Sequence, residues 1–313
     1  MNGLELSRRY FETCGLPMLR EQFPGLLPHL AAGLTGSGSE CFGFDDEVSR
    51  DHDFEPGFCL FLPGEDQISR RDAFLLERAY AKLPREFMGF SRGLMQPVGG
   101  PRRGVLRTAE FYTEKIGAAD GGLTLAQWLS TPDYALAEAT NGEIFLDGPG
   151  EVTRIRQALA HYPEDVRKKK LAAQLLLMAQ SGQYNYARCL RHGETGAAQL
   201  AACEFVRHGM QAIFLLNRVY MPYYKWSFRA MRALPRLSLL AELMEYLLTT
   251  GNEEDLAREK QDVMEGMAAD VIDELQRQGL TNAICGDLEK HAYSVQDGIG
   301  DAKLRNLHIL AAE

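Results

Sequence analysis

Two aspartates, Asp51 and Asp53, stand two residues apart just ahead of the apolar run Phe58-Cys59-Leu60-Phe61-Leu62. In an extended strand, residues i and i+2 share a face about 6.5–7 Å apart. Two carboxylates so placed can converge on a hard divalent cation such as Mg2+. His52 and Phe54 would then point the other way, into the fold. Upstream lies Gly36-Ser37-Gly38-Ser39. Its glycines let the backbone approach a phosphate chain closely. Ser39 offers a hydroxyl donor, and a helix opening behind it would add its positive N-terminal end. These parts suit a triphosphate and its Mg2+. The intervening Asp45, Asp46 and Glu47 read as a solvated loop.

Positioning these groups requires a sheet. "LAAGLTG" (30–36) reads as a short buried strand running into a glycine turn. "FCLFLPG" (58–64) reads as a buried strand stopped by Pro-Gly, with a bend at Glu55-Pro56-Gly57. "RRGVLRT" (102–108) and "GEIFLDGPG" (142–150) are further short strands. Helices are expected over 4–23, over 66–83 with Asp66 as cap, over "AEFYTEKIG" ended by Gly117, and from "EVTRIRQALAHYP" onward. From about residue 163 the chain is alanine- and leucine-rich, helix-periodic and without strand signals. The expected fold class is α+β: a small mixed-sheet domain over residues 1–155, then an all-α helical bundle domain over 156–313.

A length of 313 residues suits two domains. The net charge of -9 counts against non-specific nucleic-acid binding, which needs basic surface. It does not count against a small anionic ligand in a local basic pocket. The six cysteines are scattered, with no CxxC pair and no zinc-ligand spacing, and read as reduced thiols. There is no secretory apolar core at the N-terminus and no run of about eighteen apolar residues. The expectation is a cytoplasmic protein with no membrane span. "KKK" at 168–170 reads as a solvated face.

The segment "GSECFG" (38–43), followed by "SRDHDF" (49–54), resembles the signature of the polymerase-beta-like nucleotidyltransferase superfamily. That signature is Gly-Ser in a turn opening a helix, about ten residues, then an Asp-x-Asp strand. Gly36-Ser37 can also supply the pair. Gly38-Ser39 is preferred, because Gly43 then completes the GSxxxG of aminoglycoside nucleotidyltransferases. Ser49 departs from the common Ser-Asp-x-Asp form by one inserted residue, Arg50. The longer string "LTGSGSECFGFDDEVSRDHDF", with "SGQYNYARCL" and "FLLNRVYMPYYKW", is similar to a bacterial family of largely uncharacterised nucleotidyltransferase-like proteins. The resemblance implies the two-domain layout of the kanamycin and lincosamide nucleotidyltransferases. It implies Mg2+ on Asp51 and Asp53, one ion or two, and an NTP cradled by Gly38 and Ser39.

It also implies a third carboxylate on a neighbouring strand. The expected strand, "RRGVLRT", holds none. Glu110 and Asp147 follow nearby; Asp147 is the metal-ligand candidate, and it also suits a turn or helix cap before "GPGE". In the helical half, Lys225 follows the Pro222-Tyr223-Tyr224 break and precedes Trp226. It would either reach a phosphate or snorkel into solvent. "GQYNYARCL" offers Tyr184, Asn185, Tyr186 and Arg188 as binding groups, with Tyr184 the nucleotide-binding candidate. Glu204 lies in the apolar helix "LAACEFVRHGMQAIFLL". Buried there it would have a raised pKa and suit a general base, the part a helical-domain glutamate plays in the aminoglycoside enzymes; otherwise it pairs with Arg207 or His208 on the surface.

The expected function is Mg2+-dependent transfer of an NMP group from an NTP to a hydroxyl of a small molecule or protein, with pyrophosphate release. A nucleic-acid acceptor is disfavoured, and a homo-oligomer is compatible with the sequence. The competing expectation is a non-catalytic nucleotide- or partner-binding protein on the same fold, including a toxin–antitoxin component.

Overall fold

A computed structural model describes residues 1–48, 54–92 and 102–312. The chain divides into two compact units, residues 1–124 with 131–160, and residues 125–130 with 161–313. The architecture is α+β, a small mixed sheet followed by a helical region.

In the first unit, α1 (Gly3–Tyr10), a π-helical turn (Phe11–Gly15) and α2 (Leu16–Gln22) form one helical run. Asn2 caps it, its Oδ1 accepting from the Glu5 N–H at 2.8 Å. The apolar runs become β1 (Ala31–Leu34), β2 (Cys59–Leu62), β5 (Gly104–Arg107) and β6 (Glu143–Asp147). Between β2 and β5 lie α3 (Arg70–Ala81) and a hairpin of β3 (Glu86–Phe87) and β4 (Phe90–Ser91). Ser69 caps α3, accepting from the Asp72 N–H at 3.1 Å; Asp66, the cap expected from the sequence, lies in the preceding turn. After β5 come α4 (Thr108–Ile116), ended by Gly117 at φ 71°, then α6 (Asp133–Thr140) ahead of β6 and α7 (Glu151–Ala158) behind it. The 155/156 division drawn from the sequence falls inside α7; the units divide after it. The intervening α5 (Leu125–Ser130) belongs to the second unit.

The sheet order is β5-β2-β1-β6. β1 runs antiparallel to β2 and β6, while β5 is parallel to β2. Alternation along β2 divides its side chains: Leu60 and Leu62 join Tyr10, Leu19, Leu76 and Tyr80 in the core, while Phe61 meets Phe111 of α4 edge-on at 5.4 Å. The registers pair Gly33 with Cys59, Leu34 with Glu143, and Cys59 with Gly104. One sheet end therefore collects the exit of β1 and the entries of β2, β5 and β6. The opposite end holds Ala31, Leu62, Arg107 and Asp147.

The second unit contains α8 (Glu164–Met178), a π-helix (Ala179–Tyr186), α9 (Ala187–Arg191), α10 (Thr195–Leu216), α11 (Tyr224–Arg232), α12 (Leu240–Thr249), α13 (Glu254–Arg277), α14 (Leu288–Asp297) and α15 (Ala302–Asn306). The basic run on α8 is not the solvated face expected from the sequence: Lys169 is fully buried and Lys170 nearly so. The physical reason lies at helix C-termini, whose last carbonyls lack intrahelical donors. Arg167 Nη1 donates to Leu215 O of α10 at 3.1 Å, and Lys168 Nζ to Gly298 O, at the end of α14, at 2.8 Å. Lys169 Nζ donates to Leu307 O, at the end of α15, at 2.7 Å. Three consecutive cations thus serve the ends of three helices. Among the described residues, no helix is long and apolar enough to cross a membrane.

Candidate functional site

β1 delivers Thr35 and Gly36 to the collecting end of the sheet. Gly36 adopts φ 124°, a left-handed conformation that favours glycine. Asn141 clamps it from α6: its Oδ1 accepts from the Gly36 N–H at 2.9 Å and its Nδ2 donates to Gly36 O at 2.7 Å. Arg156 holds Asn141 in turn, donating to its carbonyl at 2.6 Å. Gly142 N–H donates to Cys41 O at 2.8 Å, tying the same turn to the entry of β6.

Gly38 and Ser39 follow this clamp. The helix expected behind them is a single 3-10 turn, Ser39–Phe42. So short an element carries little of the N-terminal field that a full helix would supply. Gly38 has φ -69°, which any residue accepts; what demands glycine is space, because a Cβ there would overlap the Glu40 carboxylate. Glu40 is buried and pairs with Arg103 at 2.8 Å; the two side chains are 7% and 8% exposed. Burial opposes the Arg103 charge, but Glu40 and Glu55 outweigh it and hold the pKa above the ordinary arginine value.

Arg103 also reaches the chain entering β2. Its Nη1 donates to Glu55 O at 2.7 Å and lies 3.7 Å from the Glu55 carboxylate. The next carbonyls are caught by side chains as well: Pro56 O by Arg92 at 3.4 Å, Gly57 O by Ser7 at 2.6 Å, and Phe58 O by Tyr80 at 2.8 Å. The Tyr80 hydroxyl accepts from the Phe58 N–H at 3.0 Å, and its burial raises its pKa. An irregular stretch ahead of a buried strand cannot leave its polar backbone without partners, and here side chains supply them. Phe54 and Glu40 both lie against Gly3, which places Phe54 near the Gly-Ser turn.

Asp51 and Asp53 lie outside the described residues. Asp147 does not join the turn. It pairs with Ala31 at the opposite end of the sheet, and its Oδ2 caps α7 by accepting from the Thr153 N–H at 2.7 Å. Glu110, exposed in the first turn of α4, also follows the far end of β5. Asp45, expected as solvated loop, accepts from the Gly3 N–H at 2.8 Å and caps α1. Among the described residues, no group of three or more His, Cys, Asp and Glu side chains is placed to hold a metal ion.

Of the helical-unit candidates, Tyr184, Glu204 and Lys225 are surface groups, whereas Tyr186 is fully buried, its hydroxyl donating to Asn252 Oδ1 at 2.8 Å. Glu204 is half-exposed and pairs with Arg207 at 2.7 Å, which holds its pKa below the ordinary carboxylate value. The raised pKa expected of a buried base is therefore absent, because α10 turns this position outward. Beside it, buried His208 offers Nδ1 to Gln174 Oε1 at 2.7 Å, while its Nε2 lies 3.0 Å from Arg207. Burial, aided by Arg207, pulls its pKa down to about 4. Tyr184 is 58% exposed, with the Arg188 guanidinium over its ring at 5.0 Å. It lines an open groove of about 440 Å³ with Gln180, Gln183, Asp287 and Glu289. Lys225 is exposed, its Nζ 5.1 Å from the Trp226 ring.

Glu40, Arg103, Asn141 and Arg156 were not legible as site residues. The Glu40–Arg103 and Asn141–Gly36 contacts join residues far apart in sequence, and no spacing rule exposes a contact of 63 or 105 residues.

Residues 128–227 match the family model described as Domain of unknown function (DUF4037). Tyr184, Glu204 and Lys225 fall within the matched stretch. No curated protein matches the chain.

Proposed function

We propose that the protein is a Mg2+-dependent nucleotidyltransferase of the polymerase-beta-like kind, acting in the cytoplasm on a hydroxyl of a small molecule or protein. The observation that carries this reading is the meeting of the Gly36–Ser39 turn with the Phe54–Phe58 segment at one sheet end, through Arg103. The turn backbone and the Ser39 hydroxyl bind the phosphate chain. Mg2+ held by Asp51 and Asp53 would supply charge neutralisation on the triphosphate. Positioning does much of the remaining work. The acceptor oxygen bonds to the α-phosphorus, the bond from that phosphorus to its bridging oxygen breaks, and pyrophosphate leaves with the electron pair. A general base or water takes the hydroxyl proton; the bond of Asp147 to the Thr153 N–H and the ion pair of Glu204 with Arg207 lend those two residues no support in that role.

The test is thermal melting of the full chain with each NTP, with and without Mg2+. Metal-dependent stabilisation by an NTP, lost in Asp51→Asn and Asp53→Asn, is the expected result. No response to any nucleotide would overturn the reading. A second reading, a nucleotide- or partner-binding protein without transfer, is favoured by the far-end position of both Asp147 and Glu110. Pyrophosphate release over a panel of hydroxyl acceptors separates the two.

A further inference from the structure

We infer that Arg103 is a positioning residue that sets the spacing between the Gly38–Ser39 turn and the chain at Glu55, and thereby the grip of the turn on a phosphate chain. The inference rests on the nucleotidyltransferase reading and adds to it a residue that touches neither substrate nor metal.

The turn has two flanks. On one, Asn141 and Arg156 clamp Gly36 to α6 and β6. On the other, the contact with the segment entering β2 runs through Glu40 and Arg103. The guanidinium is a rigid fork whose two Nη atoms serve different masters: Nη2 bonds Glu40 at 2.8 Å, and Nη1 bonds Glu55 O at 2.7 Å. Its root is equally fixed, since the next residue, Gly104, donates to Phe58 O at 2.9 Å. Among the described residues, the orientation that reaches both partners leaves Arg103 Nε buried without an acceptor. A buried ion pair is poor evidence of stabilisation, because an apolar pair of like volume often serves as well. What only the fork supplies is a fixed distance between two loop segments. Gly38 supports this, as a side chain there would displace the Glu40 carboxylate.

The experiment measures Mg·NTP affinity by calorimetry for the wild-type chain and two variants, well below their melting temperatures, with tripolyphosphate as a base-free probe. Arg103→Lys keeps a cation beside Glu40 but cannot fork to both partners. The double variant Glu40→Leu/Arg103→Met removes the charges together and is expected to fold even where a single truncation would not. Both folded variants are expected to bind NTP and tripolyphosphate about tenfold or more weakly, with the Arg103→Lys melting temperature close to that of the wild type. A purely structural role would move melting and affinity together. Wild-type affinity in both folded variants would overturn this inference alone. No binding by the wild type would overturn the nucleotide reading and this inference with it.

Discussion

Arg103 in the sheet unit and Lys260 in the helical unit are both buried cations, but only Arg103 meets carboxylates. Lys260 Nζ donates to three neutral oxygens: Gln199 Oε1 at 2.7 Å, Asn252 Oδ1 at 2.9 Å and Thr250 O, at the end of α12, at 2.9 Å. Lys169 does the same with Gln296 Oε1 and Leu307 O. Burial lowers both lysine pKa values, whereas acids keep that of Arg103 raised. Among the described residues, Lys260 and Lys169 complete helix ends with no carboxylate bonded to them, and Arg167, which does pair with Glu164 at 2.7 Å, pairs within its own helix. At the irregular sheet end, a paired cation joins two loops. The difference marks the sheet end as the place where side-chain geometry is specified from several directions.

The largest effect that would break this contrast is expected from Arg103→Met alone. It leaves Glu40 buried without its partner, and a loss of about 3–5 kcal/mol is expected in the sheet unit, read from hydrogen exchange of its amides. A loss below about 1 kcal/mol would erase the contrast.

Next is acid. His208 is neutral in the fold, with its pKa lowered from 6.5 to about 4. Below pH 6.5 the unfolded chain takes up a proton that the folded chain refuses, so stability is lost as pH falls from 6.5 toward 4. Glu204, also lowered, adds loss below its ordinary range near 4.5. The expected fall is ~2–3 kcal/mol. His208→Gln should flatten it in exchange measurements on α10.

The apolar strands and most helices were legible because burial leaves a local pattern: "FCLFL" is apolar whatever it touches. The run of lysines at 168–170 was misread for the same reason. Local pattern assigns lysines to water, while the acceptors of Lys168 and Lys169 at Gly298 and Leu307 are distant in sequence. For Asp147 and Glu204 the sequence offered both a site role and the helix cap or surface ion pair that the structure shows, and it could not choose, because strand register and helix facing are tertiary properties. The Gly-Ser turn was legible in sequence; the Glu40–Arg103 tie beside it was not.

Smaller effects sharpen the same comparison. Lys169→Met removes two hydrogen bonds and relieves a buried charge, so a net loss of only about 1 kcal/mol is expected at pH 7. The charge penalty in the wild type lifts as pH rises from the lowered Lys169 pKa toward 10.5, so the measured cost of the substitution should grow over that range. Least of all, Lys225→Ala and Tyr184→Phe alter exposed groups and should change stability by under about 0.5 kcal/mol. Any loss of NTP affinity in those two variants would then report binding rather than folding.

The most direct measurement of the central claim is hydrogen exchange of the full chain with and without Mg·NTP. Protection is expected at amides 36–43 and at the non-proline amides of 54–58, where the Gly-Ser turn meets the entry of β2. Unchanged exchange there, or protection confined to residues 179–191 and 224–232 of the helical unit, would contradict it.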